Sequence, residues 1–115
     1  MTKRHVTIYE RRGPRSFWLV DAMVASDGGV RICSGDGRAE WYAIVDADAK
    51  GALLAALRTR AKPPQRPSSA DDEILELLVR AFSRRIGRRH APFREITAFL
   101  DRNRIPWRSD FWGDM

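Results

Sequence analysis

The fold is decided by residues 16–45, SFWLVDAMVASDGGVRICSGDGRAEWYAIV, in which apolar segments alternate with two glycine-containing turns. Residues 16–25 are apolar on both faces except at Asp21, which predicts a central strand covered on both sides. Residues 26–29 and 34–37 predict tight turns, because glycine tolerates the positive φ that such turns require. Connections this short predict an antiparallel meander.

The segments on either side of this stretch complete an α+β fold. Residues 5–10 alternate polar and apolar side chains, as a strand does. Helical patterns begin near Asp46 or Asp48, at Ser69 and at Pro92. We therefore expect a single domain over residues 1–115: an N-terminal antiparallel β-meander of three to four strands, about three helices packed on one face, and an aromatic C-terminal tail.

Two details of the helical half are also predicted. Residues 62–69 contain three prolines and form a proline-rich basic loop between the first two helices. The second helix should run to about Arg85. Asn103 should end the last helix in the left-handed conformation, so that Ile105 packs back on the core.

Arginine dominates the charge of the chain, whose net charge is +6. Five arginines near the end of the second helix would form an anion or nucleic-acid patch if that helix persists; they are Arg80, Arg84, Arg85, Arg88 and Arg89. The alternative interpretations are a solvated helix face and a genome rich in arginine codons. A positive net charge predicts attraction to polyanions under either interpretation.

The residues that carry catalysis or metal binding are scarce. One cysteine excludes an internal disulfide framework, and two histidines without a cysteine pair make a structural zinc site improbable. No nucleophile–base–orienter set can be assembled from the spacing, so Cys33 is interpreted as an inert thiol and Asp21 as a structural carboxylate. We expect no catalytic, cofactor or metal site. The polar N-terminus and short apolar runs predict a cytoplasmic protein without membrane contact.

The C-terminal tail holds the best candidates for partner binding, which are Trp107, Arg108, Asp110, Phe111 and Trp112. Tryptophan, phenylalanine and arginine are the residues that interfaces favour. Exposed together they would form a large apolar patch. The tail is therefore also expected to dock as a short strand or extended segment that buries most of its three rings.

Three stretches resemble small actinobacterial proteins that look like immunity proteins of polymorphic toxin systems. They are residues 40–45 with the Leu/Ala helix at 52–57, residues 72–82, and residues 93–106 followed by Phe111 and Trp112. The likeness spans about residues 27–112, although proteins of that group are usually acidic and this one is basic. The resemblance implies a non-enzymatic protein-binding module that neutralises a cognate toxin. The alternative is a small basic nucleic-acid-binding protein.

Overall fold

Five strands and three helices make up the domain in the computed structural model, which describes residues 5–14, 17–63, 66–83 and 92–113. The strands are β1 (His5–Arg12), β2 (Phe17–Val24), β3 (Val30–Gly35), β4 (Ala39–Val45) and β5 (Arg108–Gly113). The helices are α1 (Lys50–Arg60), α2 (Ala70–Phe82) and α3 (Pro92–Arg102), and one 3-10 turn (Ala47–Ala49) precedes α1.

All five strands pair antiparallel in the order β1-β2-β3-β4-β5. The first four form the predicted meander. Gly28 and Gly37 adopt φ of 87° and 90° in the β2–β3 and β3–β4 turns, the conformation for which glycine is suited. The C-terminal tail returns as β5 and pairs with β4 from Ile44↔Arg108 to Ala39↔Gly113. The α+β prediction is confirmed.

The three helices cover one face of the sheet, which we call the helix face. Strand side chains that alternate along β2, β3 and β4 share a single buried cluster with the helices. From the sheet, this cluster contains Val20, Ala22, Val30, Ile32, Ala43 and Val45. From the helices, its fully buried members include Leu53, Leu57, Ile74, Leu77, Leu78, Phe82, Ile96 and Leu100.

The opposite face, which we call the open face, carries the other half of each strand. Asp21, Cys33 and Tyr42 lie across it in register on β2, β3 and β4, and each is partly exposed. The prediction that residues 16–25 are covered on both sides is therefore wrong. All three helices join the core on the helix face, and none of the described elements forms a second layer.

The start of α2 follows its predicted capping pattern. Ser69 Oγ accepts a hydrogen bond from the Asp72 backbone N–H at 3.1 Å, which satisfies one of the free donors of the first turn. Asp46, by contrast, makes no side-chain cap at the 3-10 turn before α1. The second helix ends at Phe82, before the predicted end near Arg85.

An ion pair joins the first two helices across the edge of the core. Glu73 on α2 is 4% exposed. The guanidinium of Arg58 on α1 donates two hydrogen bonds of 2.6 and 2.8 Å to its carboxylate. Hydrogen bonding to Arg58 holds the pKa of Glu73 below its ordinary value. The guanidinium thus keeps a buried carboxylate charged.

The end of α3 corrects one local prediction. Arg104, and not Asn103, takes the left-handed conformation, with φ of 55°. The Ile105 N–H bonds to Leu100 O at 2.9 Å and the Arg104 N–H bonds to Asp101 O at 3.1 Å, which is the Schellman pattern. Asn103 stays one residue earlier and donates its side-chain amide to Phe99 O. This geometry places Ile105 in the core at 2% exposure, as predicted.

Candidate binding groove

Three aromatic rings lie side by side where the sheet extends beyond the core. Trp18 precedes buried Val20 by two residues on β2, and Trp41 precedes buried Ala43 by two on β4. Side chains two apart on a strand share a face, so both tryptophans lie on the helix face. Phe111 lies opposite Trp41 on β5 and joins them there.

These rings form a continuous surface that we call the aromatic shelf (Trp18, Trp41 and Phe111). The ring centroids of Trp18 and Trp41 are 6.0 Å apart with planes 24° from parallel. Phe111 tilts against Trp41 at 5.2 Å. Each ring nevertheless remains 37–42% exposed, so the shelf presents apolar area that the fold itself does not bury.

Hydrogen bonds fix the orientation of two indoles near the shelf. Trp18 donates its indole N–H to Ser34 Oγ at 3.0 Å, and Ser34 is itself 3% exposed. Trp107 donates its indole N–H to Asp101 Oδ1 at 2.8 Å. The two rings are therefore held in place before any ligand arrives, which lowers the entropic cost of binding.

A groove of about 690 Å³ opens between the shelf and the first turns of α3. The sheet side is lined by Tyr9, Arg11, Phe17, Trp18, Val20, Ser34 and Trp41. The other side is lined by Pro92, Phe93, Arg94, Thr97 and Trp107. A groove of this size suits a drug-sized ligand or a few side chains of a partner.

The lining combines aromatic surface with positive charge. Arg11 and Arg94 are the charged residues among the described lining, and that lining contains no carboxylate. Guanidinium groups bind carboxylates and phosphates in a bidentate manner. The lining can therefore contact a flat or apolar group that carries, or lies beside, an anion.

The structure divides the five predicted partner-binding residues between two faces. Trp107 lines the groove and Phe111 belongs to the shelf. Arg108, Asp110 and Trp112 alternate with Phe111 along β5 and lie on the open face. The tail does dock as a strand. The expectation that its rings bury most of their area holds for Trp107 and for Phe111, which is 41% exposed, and is wrong for Trp112 at 61% exposure, because that ring lies on the open face.

Of the residues that line the groove, sequence reasoning identified only Trp107 as a binding candidate, and the residues it missed include Arg11, Trp18, Trp41 and Arg94. A signal for the tryptophans was present. Each tryptophan lies two residues before a buried strand residue, so its side chain is on the same face of the strand as the core. The two arginines carry no such signal, since their approach depends on how α3 crosses the sheet.

Polar groups of the open face form a separate cluster. His5 Nε2 lies 2.5 Å from Asp21 Oδ2, and the Tyr42 hydroxyl donates to the Glu40 carboxylate. Burial, followed by the nearby charges of Asp21 and Glu40, raises the pKa of the Cys33 thiol to about 12. A thiol with that pKa stays protonated and is a poor nucleophile. Within the described ranges, no group of three or more potential ligands could hold a metal ion.

The predicted arginine patch lies mostly outside the described residues. This applies to Arg84, Arg85, Arg88 and Arg89. Arg80 is described, and it engages Glu76 one turn earlier at 3.2 Å and the Lys62 carbonyl at 3.1 Å. Arg80 is therefore tied to its own helix and to the loop between α1 and α2.

Comparisons with known proteins give no information about the groove, so it is interpreted from the chemistry of its lining residues. None of the helices in the described part of the chain is long and apolar enough to cross a membrane. No protein-family model, curated protein or solved structure matches this chain.

Proposed function

We propose that this chain is a non-enzymatic binding module that captures a partner protein in the groove beside the aromatic shelf. The observation that carries the proposal is the shelf itself, three adjacent rings left 37–42% exposed at the mouth of a groove of about 690 Å³. Aromatic and arginine side chains are enriched at interface hot spots, where they fill desolvated pockets. Both residue types line this groove.

The resemblance to immunity proteins favours a particular kind of partner and a particular role for this chain. The partner is then a toxin of the same bacterium, and this chain neutralises it in the cytoplasm by occupying its surface. Arg11 and Arg94 favour a partner segment that brings an apolar or aromatic side chain together with a carboxylate. The net charge of +6 favours an acidic toxin surface over a basic one.

A matched pair of tryptophans tests this proposal. Trp41 belongs to the shelf, whereas Trp112 is equally aromatic, more exposed and on the opposite face. The assay co-expresses each variant with the polypeptide encoded beside its gene and measures growth and the dissociation constant of the purified pair. We expect Trp41→Ala to weaken binding about 30-fold or more, as loss of a hot-spot residue does, and Trp112→Ala to bind like the wild type.

Two results with the same variants would contradict the proposal. Equal losses from the two substitutions would place the interface elsewhere. Full protection and unchanged affinity with Trp41→Ala would remove the groove from the binding surface. Circular dichroism of both variants shows whether each retains the fold.

The second candidate is single-stranded nucleic acid, which the groove chemistry specifically favours. Bases stack on tryptophan and arginine without sequence preference, and the described lining offers two guanidinium groups with no opposing carboxylate. If Arg11 and Arg94 each contact one phosphate, log affinity should fall with log salt at a slope of about −1.4. Fluorescence titration with an oligothymidylate at several salt concentrations measures this slope. Tight binding with such a slope would favour this candidate over the protein partner.

A further inference from the structure

The outer edge of β5 is an unpaired strand edge in the described structure. The sheet ends at β5, which pairs with β4 on one side and with no described strand on the other. An edge of this kind presents free backbone N–H and C=O groups that can bind another strand.

β5 lacks several of the features that protect such an edge. Its pairing with β4 is continuous over six residue pairs, and it contains neither proline nor lysine. The opposite edge strand, β1, has an irregularity between Thr7 and Tyr9 and ends in the charged residues 10–12. Bulges and end charges discourage strand addition, so β5 is the edge suited to it.

We propose that β5 pairs antiparallel with β5 of a second copy of this chain, with Ser109 opposite Ser109 of the second copy. A two-fold axis perpendicular to the sheet would then join two five-stranded sheets into one of ten strands. The inference is independent of the groove's ligand and goes beyond the proposed function.

The order of charges along β5 selects this register. It places Arg108 directly opposite Asp110 of the second copy, and the two-fold axis repeats the pair. Both side chains lie on the open face, which carries no described helix, and both are exposed. Opposite charges at directly opposed positions stabilise strand pairing, whereas like charges oppose it.

The neighbouring register is disfavoured by the same residues. Pairing centred on Asp110 would place two carboxylates directly opposite each other. Pairing centred on Ser109 instead places each Asp110 carboxylate opposite an Arg108 guanidinium.

The existing contacts of Arg108 and Asp110 leave both side chains able to pair with a second copy. Arg108 Nη2 lies 3.5 Å from Asp46 Oδ1, with the two side chains 59% and 62% exposed. Asp110 accepts a hydrogen bond from the backbone N–H of the next residue, Phe111. An exposed pair at this separation contributes little, so Arg108 can turn to a second copy at small cost.

In this register residues 108–110 of the two β5 strands lie opposite one another, which gives a small interface, so the dimer should be weak and dependent on concentration. Sedimentation velocity of the full chain from micromolar to millimolar concentration measures it. We expect a monomer–dimer equilibrium. Arg108→Asp and Asp110→Arg should each raise the dissociation constant about tenfold or more, because each variant creates two like-charge pairs. The double variant, with the charges exchanged, should restore dimerisation.

Matched controls separate the contributions. Asp46→Asn removes the existing contact of Arg108 and should leave the dimer unchanged. A chain that stays monomeric at every concentration would overturn the proposal. Failure of the double variant to recover would overturn it as well. A dimer that Asp110→Arg leaves unaffected would overturn this register.

Discussion

Replacing Arg104 with glycine should stabilise the protein. Arg104 occupies the position after α3 at φ of 55°, where an L side chain crowds the backbone and glycine does not. Its backbone hydrogen bond to Asp101 and the adjacent one from Ile105 to Leu100 close the Schellman motif, so this conformation is required to bury Ile105. The strain is therefore retained in the folded protein.

The magnitude follows from two opposing effects. Relief of a left-handed L residue is worth about 1–2 kcal/mol, and the extra freedom of glycine in the unfolded chain costs about 0.4–1 kcal/mol. The net gain is about 0.5–1 kcal/mol. For a domain of 115 residues this corresponds to a rise in Tm of about 2–5 °C.

Two further variants make the measurement by differential scanning calorimetry specific. Arg104→Ala removes the same side chain but keeps an L residue, so its Tm should stay near that of the wild type. Arg102→Gly places glycine inside the last helical turn and should lower stability by up to about 1 kcal/mol. A Tm for Arg104→Gly that is equal to or below that of Arg104→Ala would refute the reasoning.

Three other predictions concern the cap, the buried ion pair and the thiol. Ser69→Ala should cost about 1 kcal/mol in urea denaturation, since the backbone N–H of Asp72 loses its acceptor; an unchanged midpoint would contradict this. The lowered pKa of Glu73 gives stability that is present above the unfolded glutamate pKa of about 4.3 and is lost as pH falls through the folded pKa. Glu73→Gln should flatten that acid dependence of Tm, and an unaltered slope would count against the ion pair. Because its pKa is raised to about 12, Cys33 should react with iodoacetamide at pH 8 about a hundredfold or more slower in the native protein than in denaturant; equal rates would show an accessible thiolate.

The meander and the second helix could be predicted because their signals are local. Glycine-containing turns separate the strand segments, and Ser69 with Asp72 marks the start of α2 within four residues. The left-handed residue was misplaced by one because asparagine has the stronger local preference for that conformation. The burial of Ile105 decides which residue is left-handed. The chain brings Ile105 into the core when Arg104, the residue before it, takes that conformation.

The groove could not be predicted because it depends on long-range placement. Trp18 and Trp41 are brought together by the pairing of β2, β3 and β4. They remain exposed because the core beneath the helices does not extend over their end of the sheet. Their parity with Val20 and Ala43 is visible in the sequence, but the limit of helix coverage is not. The exposure of Trp112 could not be predicted either, because it depends on which face of the sheet that ring occupies once β5 pairs with β4.

The four tryptophans of the chain allow the most direct test of the groove as the binding surface. In a ¹H–¹⁵N spectrum each indole N–H gives its own signal. The ligand is the polypeptide that this chain neutralises in the co-expression assay. The account predicts that the signals of Trp18, Trp41 and Trp107 shift on titration while that of Trp112 remains in place. A shift confined to Trp112, with the other three unchanged, would contradict it.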